Sequence, residues 1–427
     1  MTEFTIPFHS GTTLCRLPVQ AELLAMRGAK ALADPGKAVR EALDYPIGSP
    51  ALAEVIRAKT SENPEATAVI VISDNTRPVP YTGESGILLP IIRTLLDEGV
   101  PAEHVMVLVA TGPHRGLREQ ELRAMIDPAV FELGIEIVNH DCRESGKMHH
   151  LGQTARGTEI FINSRYVEAD IKILTGLVES HFMAGASGGR KSICPGLVGE
   201  AGTKIFHGPR MLEDPLATDL VLDGNPCHEE ALEVARAAGA DFIVNVTLDG
   251  SLKVSGVFAG SLEEAHLAAV EQVKSHVGIP VEREYDVVIA HAGFVGINHY
   301  QVAKTGTAVR NIIRPGGMVI IAADTTDAAH PVGALTYRTA IQLLKVVGPR
   351  QFMRLIKSES WEFIPEQWQV QMWCKLFEKI PMENLYFYAP QFSPEHYAMV
   401  PGIDGSGFTG SPGFTDAGAG FYVGALR

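Results

Sequence analysis

Two cysteines never stand close enough here to form a Cys-x-x-Cys pair, and the five that exist (Cys15, Cys142, Cys194, Cys227 and Cys374) are scattered singly. An odd, dispersed set argues against a disulfide framework and against a cysteine zinc site, and it fits a reducing, cytoplasmic compartment. No run of about 18 apolar residues occurs, so no membrane span is expected. The opening MTEFTIPFHSGTT lacks a basic region leading into an apolar stretch, so no signal peptide is expected either. Positive charge is also scarce. Against 50 Asp and Glu stand 36 Lys and Arg, for a formal charge of −14. Such a chain is a poor candidate for general nucleic-acid binding, and an anionic substrate would need local cations rather than a global field. Internal repeats and long charge runs are absent as well.

What is present is an ordinary globular composition. The chain has 427 residues, 46% of them hydrophobic, which suggests two or three domains with a large core. Apolar, β-branched runs alternate with helical patterns. Ala66–Ser73, Val105–Ala110, Ile135–Asn139 and Ile171–Thr175 read as strands. Glu84–Glu98 and Leu117–Ile126 read as helices. This alternation predicts an α/β fold with mostly parallel sheets covered by helices. Asn225-Pro226 is a helix-start signal, with Asn as cap and Pro at the first position, for a helix to about Ala238. Phe242–Leu248 and Leu252–Val257 flank Asp249-Gly250, a hairpin signature. Leu262–Val277 reads as helical, and Gly278-Ile279-Pro280 breaks it. That break divides the sequence into an N-terminal α/β domain over 1–280 and a C-terminal α/β domain over 281–427. In the second domain Asp286–Ala290 and Met318–Ala322 read as strands separated by a helix from about Tyr300 to Ile313. Helices dominate to about Lys379, Leu385–Tyr388 is a last strand, and the Gly-rich tail from Pro401 reads as loop.

The chemistry-bearing residues follow the strands. In open α/β sheets ligands bind beyond the carboxyl ends of the strands. Asp74-Asn75-Thr76-Arg77-Pro78 follows the first strand, Thr111-Gly112-Pro113-His114-Arg115 the second, and Gly176–His181 the strand ending near Thr175. Any one of Asp74, Arg77, His114, Arg115, Glu179 and His181 is as easily a turn residue or helix cap. Six of them on three loops favour a shared site.

Next comes Gly185-Ala186-Ser187-Gly188-Gly189-Arg190-Lys191-Ser192. A phosphate-binding P-loop needs Gly directly before Lys and a strand directly before the loop; Arg190 intervenes, and the strand ends about ten residues earlier. A weaker expectation survives, in which backbone N–H groups of the Gly-rich turn make an anion nest. Gly405-Ser406-Gly407-Phe408-Thr409-Gly410 matches a dinucleotide fingerprint, but it has no strand–helix–strand context and Pro412 follows at once. His207 lies beside apolar Ile205-Phe206, a setting more often of a packed histidine than of a metal ligand. Lys304 lies one helical turn from Tyr300, so both can face the same way.

In order and spacing these pieces resemble one family. Asp-x-Thr-Arg-Pro at Asp74–Pro78, Ala-Thr-Gly-x-His-Arg at Ala110–Arg115, His181 ten residues before Lys191, Pro195-Gly196, His207 sixteen residues after Lys191, and Tyr-Gln-x-x-Lys at Tyr300–Lys304 are together similar to lactate racemases. The resemblance covers about residues 70 to 375. It implies two α/β domains with the active site in the cleft between them. It implies a cytoplasmic racemase or epimerase of 2-hydroxy acids, in which reversible hydride transfer through a 2-keto acid inverts C2. The implied cofactor is a nickel-pincer nucleotide, pyridinium-3,5-bisthiocarboxylic acid mononucleotide, covalently attached through Lys191 and supplied by separate cofactor biosynthesis enzymes. His207 is the implied nickel ligand, and Asp74, Gly188 and Gly189 the implied cofactor-binding residues. His114 and His181 become paired catalytic bases, with Arg77, Tyr300, Gln301, Lys304 and Trp368 (in Glu366-Gln367-Trp368-Gln369) around a small-molecule substrate. Two departures bear on that substrate, which lactate, malate, aromatic hydroxy acids and sugar acids would all satisfy. The residues around His181 are Glu179, Ser180 and Phe182, and Arg190 is charged, available to a cofactor phosphate or a second substrate carboxylate. The residues alone leave two alternatives, a phosphotransferase using the Gly185–Lys191 loop and a nucleotide carrier without turnover. The pair His114 and His181 disfavours the carrier, because storage needs no bases.

Overall fold

The computed structural model describes residues 2–8, 11–408 and 421–425. They form two compact units. One comprises Arg27–His207 and Leu216–Gly278; the other comprises Met1–Met26, Gly208–Pro215 and Ile279–Arg427.

The first unit is built on a six-stranded sheet in the order Val254–Gly260, Phe242–Leu248, Ile171–Leu177, Ala68–Ser73, Val105–Ala110, Glu136–Asn139. All neighbours are parallel except the hairpin Phe242–Leu248/Val254–Gly260, which the Asp249-Gly250 turn closes. The central strands are continuous runs of Val, Ile and Leu because both faces are covered. Val69, Ile70, Val71 and Ile72 have no exposed surface, nor have Val107, Leu108 and Val109. Helix Pro226–Ala238 starts as its signal predicted: the Asn225 side chain accepts from the N–H groups of Cys227 and His228. Strand order reverses around Ala68–Ser73, which has the second strand on one side and Ile171–Leu177 on the other. The carboxyl end of that strand, where Asp74 begins, is the position where doubly wound sheets bind ligands.

The second unit holds a six-stranded, fully parallel sheet in the order Ile403–Asp404, Leu385–Tyr388, Ile313–Ala322, Tyr285–His291, Phe421–Ala425, Glu22–Leu23. Two features differ from the expected outline. The tail from Pro401 is not all loop, since Ile403–Asp404 and Phe421–Ala425 are strands; the Gly-rich composition around them hides short runs that pairing turns into strands. The N-terminal segment joins this unit through Glu22–Leu23, which pairs with Phe421–Ala425, and Glu22 accepts from Tyr285 and Arg283. Gly208–Pro215 joins it where Lys375 donates to the Asp214 carbonyl at 2.7 Å and Lys357 meets Glu213 at 2.6 Å. Gly405–Phe408 is a short 3₁₀ turn, while Thr409 and Gly410 of the expected chance match lie outside the described residues. Among the described residues no helix is long and apolar enough to cross a membrane. Cys142, Cys194, Cys227 and Cys374 are buried and form no disulfide.

Candidate active site

The loops at the carboxyl end of the first sheet are tied to one another by the backbone. The Gly112 N–H donates to the Gly196 carbonyl at 3.0 Å, so the His114 loop lies against the segment after Lys191. Ser192 Oγ donates to the Thr175 carbonyl at 2.9 Å, and Thr175 Oγ1 donates to the Val71 carbonyl at 2.7 Å. The lysine loop is thereby anchored to the ends of two central strands. Tyr81, not singled out in the sequence, completes this anchor. Its hydroxyl accepts from the Ser73 N–H at 2.7 Å and donates to Thr175 Oγ1 at 2.9 Å.

Asp74 is buried and both of its oxygens are engaged. Oδ1 accepts from Thr76 N–H at 3.1 Å and from Thr76 Oγ1 at 2.5 Å; Oδ2 meets His114 Nδ1 at 2.7 Å. Burial alone would raise its pKa, but the bonds from His114 and Thr76 hold it below the ordinary aspartate value. The His114 ring is itself well exposed. Arg77 lies 3.4 Å from Glu179, two residues ahead of His181. His181 sits on a short hairpin, Ser180–His181 against Gly185–Ala186. Arg115 does not join the cluster. It forms a two-point pair with Glu121 at 2.8 and 2.5 Å and so secures the start of the helix Glu119–Met125.

Lys191 is half-buried, with its ammonium 4.8 Å from the Phe206 ring centre. Burial first, then the charges of Arg190 and Arg77, push its pKa down to about 7. His207 caps the helix Glu200–Phe206, and its Nδ1 lies 3.0 Å from the Thr203 carbonyl. Burial, with the charges of Lys191 and His114 adding to it, pushes the His207 pKa down to about 3. Lys191, His207, His114 and Arg77 therefore share one electrostatic neighbourhood.

The Gly-rich loop is used differently from the expected anion nest. Gly188 and Gly189 are buried with positive φ. A Cβ on Gly188 would lie 2.6 Å from Val178 Cγ2, and one on Gly189 would lie 2.7 Å from His266 Cγ. The Gly189 N–H is committed to Asn245 Oδ1 at 2.8 Å. Close packing, rather than an open row of amides, is what requires glycine here. Gly189–Ser192 is a single 3₁₀ turn and does not start a long helix, which removes the structural basis for a P-loop. Arg190 is buried as well. It donates to the Ala184 carbonyl at 2.7 Å and the Gly188 carbonyl at 3.4 Å, beside His266 at 3.0 Å. The expectation that Arg190 meets a cofactor phosphate or a second carboxylate is therefore replaced by a role in holding its own loop.

In the second unit Tyr300, Gln301 and Lys304 lie on the helix His299–Arg310, capped by Asn298, whose side chain accepts from the Gln301 N–H at 3.0 Å. The Trp368 indole donates to the Tyr300 hydroxyl at 3.1 Å, and Gln369 Nε2 donates to the Tyr300 carbonyl at 2.9 Å. Burial pushes the Tyr300 phenol far above its ordinary pKa, so it stays a protonated donor. Two residues support this group: Tyr337, inside the helix Leu335–Val347, is not singled out in the sequence, whereas Glu366 is named there only as a neighbour of Trp368. Tyr337 packs edge-on against Tyr300 with ring centres 5.2 Å apart, and Glu366 accepts from Thr336 at 2.6 Å. Among the described residues no group of three or more His, Cys, Asp or Glu is arranged to hold a metal.

Residues 8–219 match the lactate racemase N-terminal domain. The lactate racemase of Thermoanaerobacterium thermosaccharolyticum is 34% identical over 341 residues, which cover 79% of this chain and 76% of that protein. The lactate racemase of Lactiplantibacillus plantarum is 34% identical over the same shares. This chain belongs to the lactate racemase family. The fold agrees: the lactate racemase apoprotein structure from T. thermosaccharolyticum superposes with a TM-score of 0.86 at 28% identity, over 100% of both chains. A Thermotoga maritima protein shares the fold alone, with a TM-score of 0.59 at 15% identity over 88% of this chain and 97% of that one. Membership in the lactate racemase family makes this chain an enzyme of the isomerase class.

Proposed function

We propose that this enzyme inverts C2 of a 2-hydroxy acid, with lactate, the acid named for both relatives, as the first candidate substrate. One observation carries the reading. The Asp74–His114 pair at 2.7 Å stands on a loop that the Gly112–Gly196 bond ties to the Lys191 segment, at the carboxyl end of the sheet.

The residues fit a nickel-pincer nucleotide. With Nδ1 of His207 donating to the Thr203 carbonyl, the ring's lone pair lies on Nε2, the arrangement of a metal-ligating histidine. The low pKa keeps that lone pair unprotonated. Sulfur and imidazole donors suit Ni(II), so an organic ligand bearing sulfur would complete a nickel site at His207. Lys191, partly an uncharged amine near neutral pH, suits a covalent amide-type tether. When bound, the nucleotide supplies a reversible acceptor for the C2 hydrogen as hydride.

The chain's own residues supply the rest. Arg77 grips the substrate carboxylate through charge-assisted hydrogen bonds, and Lys304 is assigned as the second cation. His114 takes the hydroxyl proton as the C2–H electron pair departs, leaving a 2-keto acid that is planar at C2. Return of hydride to the opposite face gives the other configuration, for which His181 is assigned as the proton-transfer group. Tyr300 and Gln301 donate to the substrate, and Trp368 walls it.

The test is to load the protein with the nickel nucleotide and supply single enantiomers of lactate, malate, aromatic and sugar 2-hydroxy acids. Chiral chromatography should show one of them converging on a mixture of configurations at C2. No interconversion by fully loaded enzyme, with ATP-dependent phosphoryl transfer instead, would favour the phosphotransferase alternative. Arg77→Ala and Lys304→Ala should each lower kcat/KM about ten- to a hundredfold, since a charge-assisted hydrogen bond is worth roughly 1.5–3 kcal/mol. Wild-type kinetics in both variants would remove this pocket.

A further inference from the structure

His114 and His181 are held by opposite kinds of partner. On His114, Nδ1 faces Asp74 Oδ2 at 2.7 Å. An ionised carboxylate only accepts, so this Nδ1 carries the proton. The neutral ring then has its lone pair on Nε2. On His181, Nδ1 faces two donors, the N–H groups of Met183 at 3.2 Å and Ala184 at 3.1 Å. A backbone amide only donates, so this Nδ1 accepts, and the neutral ring has its proton on Nε2.

Neither partner is free to turn away. Asp74 is fixed by both donors of Thr76. The turn after His181 is fixed at each residue: Asn225 Nδ2 donates to the Met183 carbonyl at 2.9 Å, and Arg190 donates to the Ala184 carbonyl at 2.7 Å. Asn225 and Arg190 are both buried. The Met183–Ala184 peptide is thus engaged at both ends, its carbonyl by Asn225 and its N–H by His181, and the next carbonyl is held by Arg190.

We propose that, as neutral rings, His114 and His181 hold opposite tautomers, because Asp74 accepts from one Nδ1 while the Met183 and Ala184 amides donate to the other. On the racemase reading this makes the two histidines unequal. His114 is the ready base: the hydroxyl proton would move to its Nε2 as the C–O bond becomes C=O, with the bound nucleotide supplying the acceptor for the C2 hydride. His181 rests as a donor at Nε2. It can accept a proton at that atom only after its own proton has moved to Nδ1, which breaks both turn bonds. Asp74 is a positioning residue for His114, and Arg190, through Ala184, is one for His181.

The tautomers are read in the protein without cofactor. Histidine-selective ¹⁵N labelling and long-range ¹H–¹⁵N correlation at mildly alkaline pH distinguish the two ring forms, with His114→Gln and His181→Gln assigning the signals. His114 should show the Nδ1–H form and His181 the Nε2–H form. Asp74→Ala should convert His114 to the Nε2–H form that unconstrained rings prefer, with His181 unchanged. The same form at both positions in the native protein, or an unchanged His114 signal in folded Asp74→Ala, would overturn the proposal. Rapid mixing of loaded Asp74→Ala with each enantiomer adds a kinetic reading per bound cofactor. One enantiomer should react roughly tenfold or more slower than the other, short of the ~10²–10⁴ expected for loss of the base itself; equal slowing of both would count against the assignment. Opposite tautomers in a protein that racemises no 2-hydroxy acid would leave this inference standing and remove the proposed function. Identical tautomers in an active racemase would do the reverse.

Discussion

Lys191→Ala is expected to yield a folded protein with no cofactor mass increment and no racemase activity. The reason lies in what surrounds this lysine. Its backbone N–H is held by the Gly188 carbonyl at 3.0 Å and its carbonyl by the Gly196 N–H at 3.2 Å, so the loop places the side chain independently of any ligand. Truncation at Cβ leaves those backbone bonds in place and deletes the amine with its methylene stem. Burial and two neighbouring guanidinium groups lower the pKa to about 7. The uncharged, nucleophilic form is therefore substantial at neutral pH and is lost as pH falls below that value. Intact-protein mass spectrometry after loading reads the adduct directly. An unchanged increment, or full activity, in Lys191→Ala would end the tether assignment. His207→Ala should keep the organic adduct but release nickel more readily, measured by elemental analysis after dialysis. Equal nickel retention would make His207 a packed helix cap only.

The second large effect concerns the paired histidines. His114→Ala and His181→Ala should each slow racemisation by roughly 10²–10⁴-fold, the usual consequence of losing one proton-transfer group. Steady racemisation uses both half-reactions, so both variants fail in that assay. Single half-reactions separate them. With pre-loaded enzyme, His114→Ala should impair hydride removal from one enantiomer more than from the other, and His181→Ala should do the reverse. Rapid mixing with each pure enantiomer, followed through the cofactor absorbance, gives four rates. Unimpaired reduction by both enantiomers in both variants would show that neither ring transfers a proton. A merely structural role would slow both enantiomers alike, so the crossed pattern itself is diagnostic.

The strands that carry the site were legible because their signal is local. Val105–Ala110, Phe242–Leu248 and Leu385–Tyr388 were delimited to the residue by continuous β-branched or aromatic runs between turn signals. The Asn225-Pro226 start was legible because capping is decided within a few residues. Strand Phe421–Ala425 was not, since a short parallel strand is defined by its neighbours Tyr285–His291 and Glu22–Leu23, both far away in sequence.

Within the site, residue type and position after a strand were enough to single out Asp74, Arg77, His114, His181 and Lys191. Their partners were not readable. Arg115 and Arg77 are both loop arginines, but Arg115 turns to Glu121 in the helix just after it, while tertiary structure brings Arg77 to Glu179. Arg190 looks in sequence like a cation offered to an anion; packing turns it inward onto two carbonyls of its own loop. Gly188 and Gly189 look like a phosphate cradle, yet Val178, Asn245 and His266 fill the space beside them. By itself the sequence determined the α/β class, the strand–loop periodicity and the inventory of reactive groups, because these depend on local propensity and side-chain chemistry. Only the tertiary structure decided which nitrogen of each histidine meets an acceptor or a donor, and which cations face inward. For His114 the deciding acceptor, Asp74, lies 40 residues away in the chain; the partners of His181 and Arg190 are near in sequence, but the turn that presents them is held by Asn225 and His266 from far along the chain.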